Sequence, residues 1–245
     1  MTKAKAFFSM LINLTIFGVT SYIVVMYFFV PSNIISNGWE SFRYFTTDSN
    51  ILAAAAALVT AVCDLRIILG KANRLPHFAQ LFKYIGTVCL MLTFATVMIF
   101  LMPNYGLELM ISGTSFHMHV FAPLASLLTF VLLEKDAFIF FPETFYALAP
   151  IVIYGAVYIV EVVYIGEFNG GWMDFYLFNR QGQWMSTMII MLAGAYIVCL
   201  LVRLMHNIGI IKIKGRLTRK ERKQLEIKRQ EKLEAYRNRK SSETR

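Results

Sequence analysis

Residues 81–102 read LFKYIGTVCLMLTFATVMIFLM, and Lys83 is the only charged side chain in this run. An α-helix of that length, at ~1.5 Å per residue, covers the ~30 Å hydrocarbon core of a bilayer. The run lacks the alternation of a barrel strand, and backbone groups in lipid need internal partners. The stretch therefore predicts a transmembrane helix, with the long stem of Lys83 reaching back to the interface.

Five further apolar runs have a similar length, and the chain as a whole is 57% hydrophobic and 16% charged. Such a composition is typical of a multispanning membrane protein and excludes an ordinary soluble domain. We predict an all-α, polytopic membrane protein, a bundle of six transmembrane helices with a basic C-terminal tail. The predicted spans 1 to 6 are Phe7–Phe29, Tyr44–Cys63, Leu81–Met102, Thr114–Leu133, Phe145–Ile165 and Trp184–Met205.

The distribution of charge predicts the domains and the orientation. Residues 206–245 contain 14 of the 24 Lys and Arg residues and five Glu, which equals the whole formal net charge of +9. We predict a membrane domain over residues 1–205 and a basic, partly helical or disordered tail over residues 206–245. The positive-inside rule places the tail and the N-terminus in the cytoplasm of a cell-membrane protein. Anionic lipid headgroups are the expected partner of the tail, and no specific nucleic acid is expected.

Polar side chains recur at one depth near the predicted extracytoplasmic face. Thr46 and Asn50 are one helical turn apart at the start of span 2, His119 lies just inside span 4, and Glu161 lies near the end of span 5. Ionisable groups at such depth are costly and are usually paired or functional. A hydroxyl and an imidazole at one level predict a nucleophile, Thr46, with its base, His119.

Each of these residues also has a structural interpretation. Threonine in a membrane helix often bonds back to its own backbone, and a membrane histidine is often a packing residue. Glu161 is a candidate to pair with Arg180 or with a histidine. Pro123 removes the helical hydrogen bond to the His119 carbonyl and is expected to open that turn.

The predicted cytoplasmic halves of the spans read as almost wholly apolar, with Asp64 and Arg66 as a candidate anchoring pair at the end of span 2. A polar site at one face alone favours an enzyme pocket over a transport path. The chain has no HExxH, GxSxG, Walker or dinucleotide motif, and its three cysteines lack metal-type spacing. We expect neither a metal nor a cofactor.

Three motifs carry a family resemblance: Tyr-Phe-Thr-x-x-Ser-Asn over residues 44–50, His-x-x-x-Pro over residues 119–123, and Gly-Gly-Trp over residues 170–172. With its six spans, the chain resembles bacterial relatives of the androgen-induced-gene and androgen-dependent TFPI-regulating protein family. Animal members of that family are transmembrane threonine hydrolases that cleave fatty acid esters of hydroxy fatty acids. The resemblance implies a Thr46 nucleophile and a His119 base. The animal histidine lies one residue farther from its proline, so His117 is an alternative base.

The resulting expectation is a multi-pass membrane hydrolase of lipid esters, acting on membrane lipid or a lipid-ester substrate near the extracytoplasmic face. Asn50 is a candidate to donate a hydrogen bond to the oxyanion or to orient the histidine. The alternative is a non-enzymatic membrane transporter or scaffold with the same six-helix fold. A transporter would use His119 and Glu161 as relays. The sequence leaves the oligomeric state undetermined.

Overall fold

The fold is known from a computed structural model, which describes residues 1–30 and 38–210. Within these ranges the chain is helical and contains no strand, and six helices are long and apolar enough to cross a membrane. The predicted six-helix, all-α membrane architecture is therefore confirmed, while the predicted tail lies, from residue 211 onward, outside the described residues. Spans 1 to 6 are Lys3–Met26, Phe45–Ile68, His77–Tyr105, Gly113–Leu133, Glu143–Ile165 and Trp184–Ile210.

The chain divides into two compact units, Met1–Asn207 and Ile208–Arg245. The second unit is described only at residues 208–210, and all contacts below belong to the first unit.

Several helices extend beyond the apolar runs that predict them. Span 1 begins at Lys3 rather than Phe7, and span 3 begins at His77 rather than Leu81. Helical hydrogen bonds are made by the backbone, so polar residues at the interface continue a helix that hydropathy alone would end. Pro76, in extended conformation, marks the actual start of span 3.

Successive spans run in opposite directions, which gives the bundle two ends. At the end that holds the N-terminus, the Met1 amine lies 3.1 Å from the Asp136 carboxylate, between spans 4 and 5. We call this the terminus end. At the other end lies the connection between spans 5 and 6, residues 166–183, and we call this the loop end.

The centre of the bundle is built from spans 1 to 4. In an 18-residue apolar stretch of span 2, 50% of the residues are buried. The corresponding values are 11% in span 5 and 17% in span 6, whose exposed faces are available to lipid. Spans 2 and 3 approach closely because small residues face each other: a Cβ on Gly86 would lie 2.9 Å from the Cα of Ala53. Close backbone approach at small residues is a usual basis of helix association in membranes.

Span 4 opens into a wide turn at the candidate base. Residues His117–Phe121 form a π-helical turn, in which the N–H of Ala122 donates to the carbonyl of His117. Pro123 follows and has no N–H to offer the His119 carbonyl. The opening that the proline predicts thus takes the form of a π-helical turn, a feature often found at functional sites.

The 166–183 loop packs onto the loop end of the bundle. Tyr176 and Phe178 are buried against Phe45 of span 2 and Tyr158 of span 5. The loop turns back on the end of span 5 at Gly171, where a Cβ would lie 2.2 Å from the carbonyl oxygen of Glu161. Only glycine allows this approach, which explains the second glycine of the Gly-Gly-Trp motif, while the first, Gly170, has a left-handed φ of 88°.

Candidate functional site

Thr46 is the second residue of span 2, and its side chain is half-buried. The helix start is held by the loop: the Phe45 N–H donates to the hydroxyl oxygen of Tyr176, at 3.1 Å. Burial raises the pKa of Tyr176 to about 12, so the phenol stays protonated at neutral pH. Tyr176 therefore takes the place of the side-chain cap that Tyr44, the N-cap residue, does not supply.

Asn50 ties the candidate nucleophile to the candidate base. Its side chain is 1% exposed, and its amide nitrogen donates to the Thr46 carbonyl at 2.8 Å and to the Met118 carbonyl at 3.1 Å. Met118 immediately precedes His119. One amide group thus holds the backbone of Thr46 and the turn that carries His119 at the same level.

These two contacts also decide between the roles expected of Asn50. A side-chain amide has two N–H groups, and both are engaged by backbone carbonyls. No N–H of Asn50 is left for an oxyanion in this structure. Its role here is to position the two helices.

His119 is half-buried, and its ring is oriented by the short helix Leu107–Ile111 that precedes span 4. The Nδ1 atom of His119 lies 2.6 Å from the carbonyl oxygen of Met110. A carbonyl can only accept, so Nδ1 carries the proton and donates it. In the neutral ring this leaves the lone pair on Nε2, which is the nitrogen that a general base needs.

His117, the alternative base, faces a different helix. Its side chain is 8% exposed, and its Nε2 lies 3.0 Å from the Thr20 hydroxyl of span 1. The ring also stacks on Phe121. The structure therefore gives His117 a packing and hydrogen-bonding role between spans 1 and 4.

Glu161 contributes its backbone to the loop end through the close approach of Gly171. Among residues 1–30 and 38–210, no salt bridge joins its carboxylate to Arg180 or to a histidine. The predicted pairings of Glu161 are thus not seen.

The expectation of apolar halves at the terminus end is wrong. A set of buried polar residues lies there between spans 1 to 4, and we call it the terminus-end cluster. Its members are Ser9, Asn13, Asp64, Gln80, Lys83 and Glu134, all at most 1% exposed.

Two individual expectations fail with it. Lys83 does not reach the interface: its ammonium group donates to Asn13 Oδ1 at 2.5 Å inside the bundle. Within the described ranges, Asp64 makes no salt bridge with Arg66, and neither of its carboxylate oxygens has a hydrogen-bond partner. Hydropathy reports how many polar residues a span has, but not which way each one faces.

Glu134 accepts hydrogen bonds from three other members of the terminus-end cluster. Its Oε1 accepts hydrogen bonds from Ser9 at 3.0 Å and from Asn13 at 2.9 Å, and its carbonyl accepts one from Gln80 at 2.6 Å. The sequence does indicate the contribution of span 1 to the bundle interior. Its polar residues Ser9, Asn13 and Thr20 are separated by four and seven residues, which places them on one face of the helix.

A comparison of the chain with protein-family models, with curated proteins and with solved structures finds no match in any of the three.

Proposed function

We propose that this chain is a multi-pass membrane hydrolase of lipid esters, with Thr46 as nucleophile and His119 as base. Fatty acid esters of hydroxy fatty acids are candidate substrates, in line with the motif resemblance. The observation that carries the proposal is the bridge made by Asn50, which joins the Thr46 carbonyl to the carbonyl next to His119.

Two further features support the assignment of roles. The bond from His119 Nδ1 to Met110 leaves Nε2 as the basic nitrogen, much as a carboxylate orients the histidine of a serine hydrolase. Thr46 stands in the first turn of span 2, where the positive end of the helix dipole favours negative charge developing on a substrate carbonyl.

The proposed reaction has two steps. His119 takes the Thr46 hydroxyl proton as the oxygen attacks the ester carbonyl, and the alcohol leaves with that proton. Water activated by the same imidazole then hydrolyses the acyl-threonine and regenerates the free hydroxyl. With the N-terminus in the cytoplasm, as the charge distribution favours, this chemistry takes place near the extracytoplasmic face of a cell membrane.

The test is covalent labelling of the purified protein with a lipid-tailed fluorophosphonate, followed by turnover of a panel of lipid esters. We expect labelling of the wild type and its loss in Thr46→Ala and His119→Ala. Thr47→Ala is the matched control, since it removes the neighbouring hydroxyl, which is only 3% exposed, and should keep the label. His117→Ala tests the alternative base and should also keep it. Labelling that survives in Thr46→Ala, or a folded wild type that never labels, would refute the proposal.

A second candidate function is a cation-coupled transporter. It is favoured by polar side chains that continue from the loop end through the middle of the bundle, where Ser49 meets Thr93 at 2.8 Å and Thr87 meets Ser126 at 2.8 Å, to the terminus-end cluster. Gradient-dependent solute flux into proteoliposomes, unaffected by Thr46→Ala, would favour this function over the hydrolase.

A further inference from the structure

Several buried oxygens of the terminus-end cluster lack a hydrogen-bond partner. Four of its buried oxygens have no partner: both carboxylate oxygens of Asp64, Oε1 of Gln80 and Oε2 of Glu134. A buried polar group without a partner is unfavourable, and more so when it is charged. A set of four such acceptors indicates that something positively charged belongs among them.

The Ser9 hydroxyl lies between the two carboxylates of the cluster. It donates its one hydrogen to Glu134 Oε1 and lies beside Asp64, which interacts electrostatically with Glu134, Lys83 and Asp136. Lys83 in turn interacts with both carboxylates. The Lys83 ammonium donates to Asn13 Oδ1, and the structure shows no hydrogen bond from it to Asp64.

The three buried charged residues of the cluster, Asp64, Glu134 and Lys83, carry a formal charge of −1 together. A buried net charge is strongly unfavourable in a membrane interior, and one additional positive charge cancels it. A divalent ion would leave the site with a net charge of +1 and would be repelled by Lys83. Within residues 1–30 and 38–210, no group of three or more histidine, cysteine or acidic side chains is suited to hold a metal ion, which also disfavours a tight divalent site.

We propose that Asp64 and Glu134 form a buried binding site for one monovalent cation, Na⁺ or a proton, at the terminus end of spans 1 to 4. Oxygen atoms are the preferred ligands of hard cations such as Na⁺, and the unpartnered atoms are all oxygens. A proton would serve the same atoms by turning one carboxylate into a donor toward a neighbouring acceptor. The site is independent of Thr46 and of the proposed hydrolase.

Asp136 and His206, two further titratable groups that interact with the cluster, do not replace the ligand. Asp136 is paired with the Met1 amine at 3.1 Å and accepts from the Leu75 N–H at 2.8 Å. His206 interacts electrostatically with Glu134, but its two ring nitrogens each lie 3.0 Å from a backbone carbonyl. A doubly protonated His206 would donate both of its N–H groups to those carbonyls, and the oxygens of Asp64 would still have no donor.

A cavity lies at the same end of the bundle as the cluster. A space of about 530 Å³ is lined by Cys63, Arg66, His77 and Asp136, among others, and Cys63 is the residue before Asp64 in span 2.

The first experiment measures the full-length protein in lipid nanodiscs. Thermal unfolding is followed with NaCl or with N-methylglucamine chloride at equal ionic strength, together with binding of radioactive sodium. If Na⁺ is the ligand, it raises the Tm of the wild type and binds one per chain, because a ligand that binds only the folded state stabilises it. Asp64→Asn and Glu134→Gln lose both effects.

The second arm detects a proton. Infrared difference spectra between neutral and alkaline pH should show the carbonyl stretch of a buried protonated carboxyl group, which disappears in Asp64→Asn or Glu134→Gln while Na⁺ has no effect. Glu143→Gln is the matched control, since this carboxylate at the same end already has partners in His77 and the Phe140 N–H and should leave either response unchanged.

The wild-type measurements keep the proposal refutable if a variant fails to fold. A folded wild type with neither Na⁺ binding nor a protonated-carboxyl band overturns it. So does a response of either kind that is retained in folded Asp64→Asn and Glu134→Gln.

Discussion

Replacing Asn50 by alanine removes a side chain that joins the candidate nucleophile to the turn of the candidate base. Two hydrogen bonds are lost, one within span 2 to the Thr46 carbonyl at 2.8 Å and one to the Met118 carbonyl of span 4 at 3.1 Å. The bond between the spans contributes about 0.6 kcal/mol and the bond within span 2 about 0.5 kcal/mol, so the expected loss is about 1.1 kcal/mol. For a chain of this size that lowers the Tm by about 2–4 °C.

Asn50→Asp should be more damaging than Asn50→Ala. The aspartate keeps the shape of the side chain but replaces both N–H donors by an oxygen, which would face two backbone carbonyls in a position that is 1% exposed. Alanine only removes the Asn50 donor from the two carbonyls, and Thr46 still accepts from the Ser49 hydroxyl at 3.1 Å, whereas aspartate adds repulsion and a buried charge. The order of Tm values should therefore be wild type, then alanine, then aspartate.

The assay is thermal unfolding of the purified protein in detergent, read by a thiol-reactive dye that reports exposure of the buried cysteines 63, 89 and 199. Asn169→Ala is the matched control, because its amide makes a single bond to the Ile165 carbonyl at an exposed site and should change stability by at most about 0.5 kcal/mol. If Asn50→Ala unfolds like Asn169→Ala, or if aspartate is tolerated better than alanine, the bridge inferred from the structure does not exist.

Two further predictions concern the loop end. Gly171→Ala places a Cβ 2.2 Å from the Glu161 carbonyl oxygen, so the loop must move away from the end of span 5. Limited proteolysis should therefore cut the 166–183 loop faster than in the wild type. Gly155→Ala is the control, because Gly155 lies in span 5 and a Cβ there would meet nothing within 4 Å. In this variant the loop should be cut at the wild-type rate. Tyr176→Phe leaves the Phe45 N–H without its acceptor and should lower the free energy of unfolding by about 1 kcal/mol, measured by the same thermal assay. Equal stability of this variant and of Tyr164→Phe, which alters a ring that is 71% exposed, would contradict the capping role.

The motif residues show how far a sequence pattern reaches into a site. Thr46 and Asn50 are one turn apart on the same helix, and their shared face follows from helix geometry alone. The contact of Asn50 with Met118 joins residues 68 positions apart, and it depends on the rotation of span 4 about its axis. The same rotation turns His117 toward Thr20, which places His117 and His119 in different environments.

The six spans were determined by the sequence itself, because lipid offers no hydrogen bonds and a long apolar run has helix as its only economical conformation. Hydropathy does not specify the faces that those helices turn to one another. Lys83 meets Asn13, 70 residues away, and Ser9 meets Glu134, 125 residues away, only after the spans have packed. Whether a polar residue lies at the interface or inside the bundle is a property of packing, and the tertiary structure alone decided it.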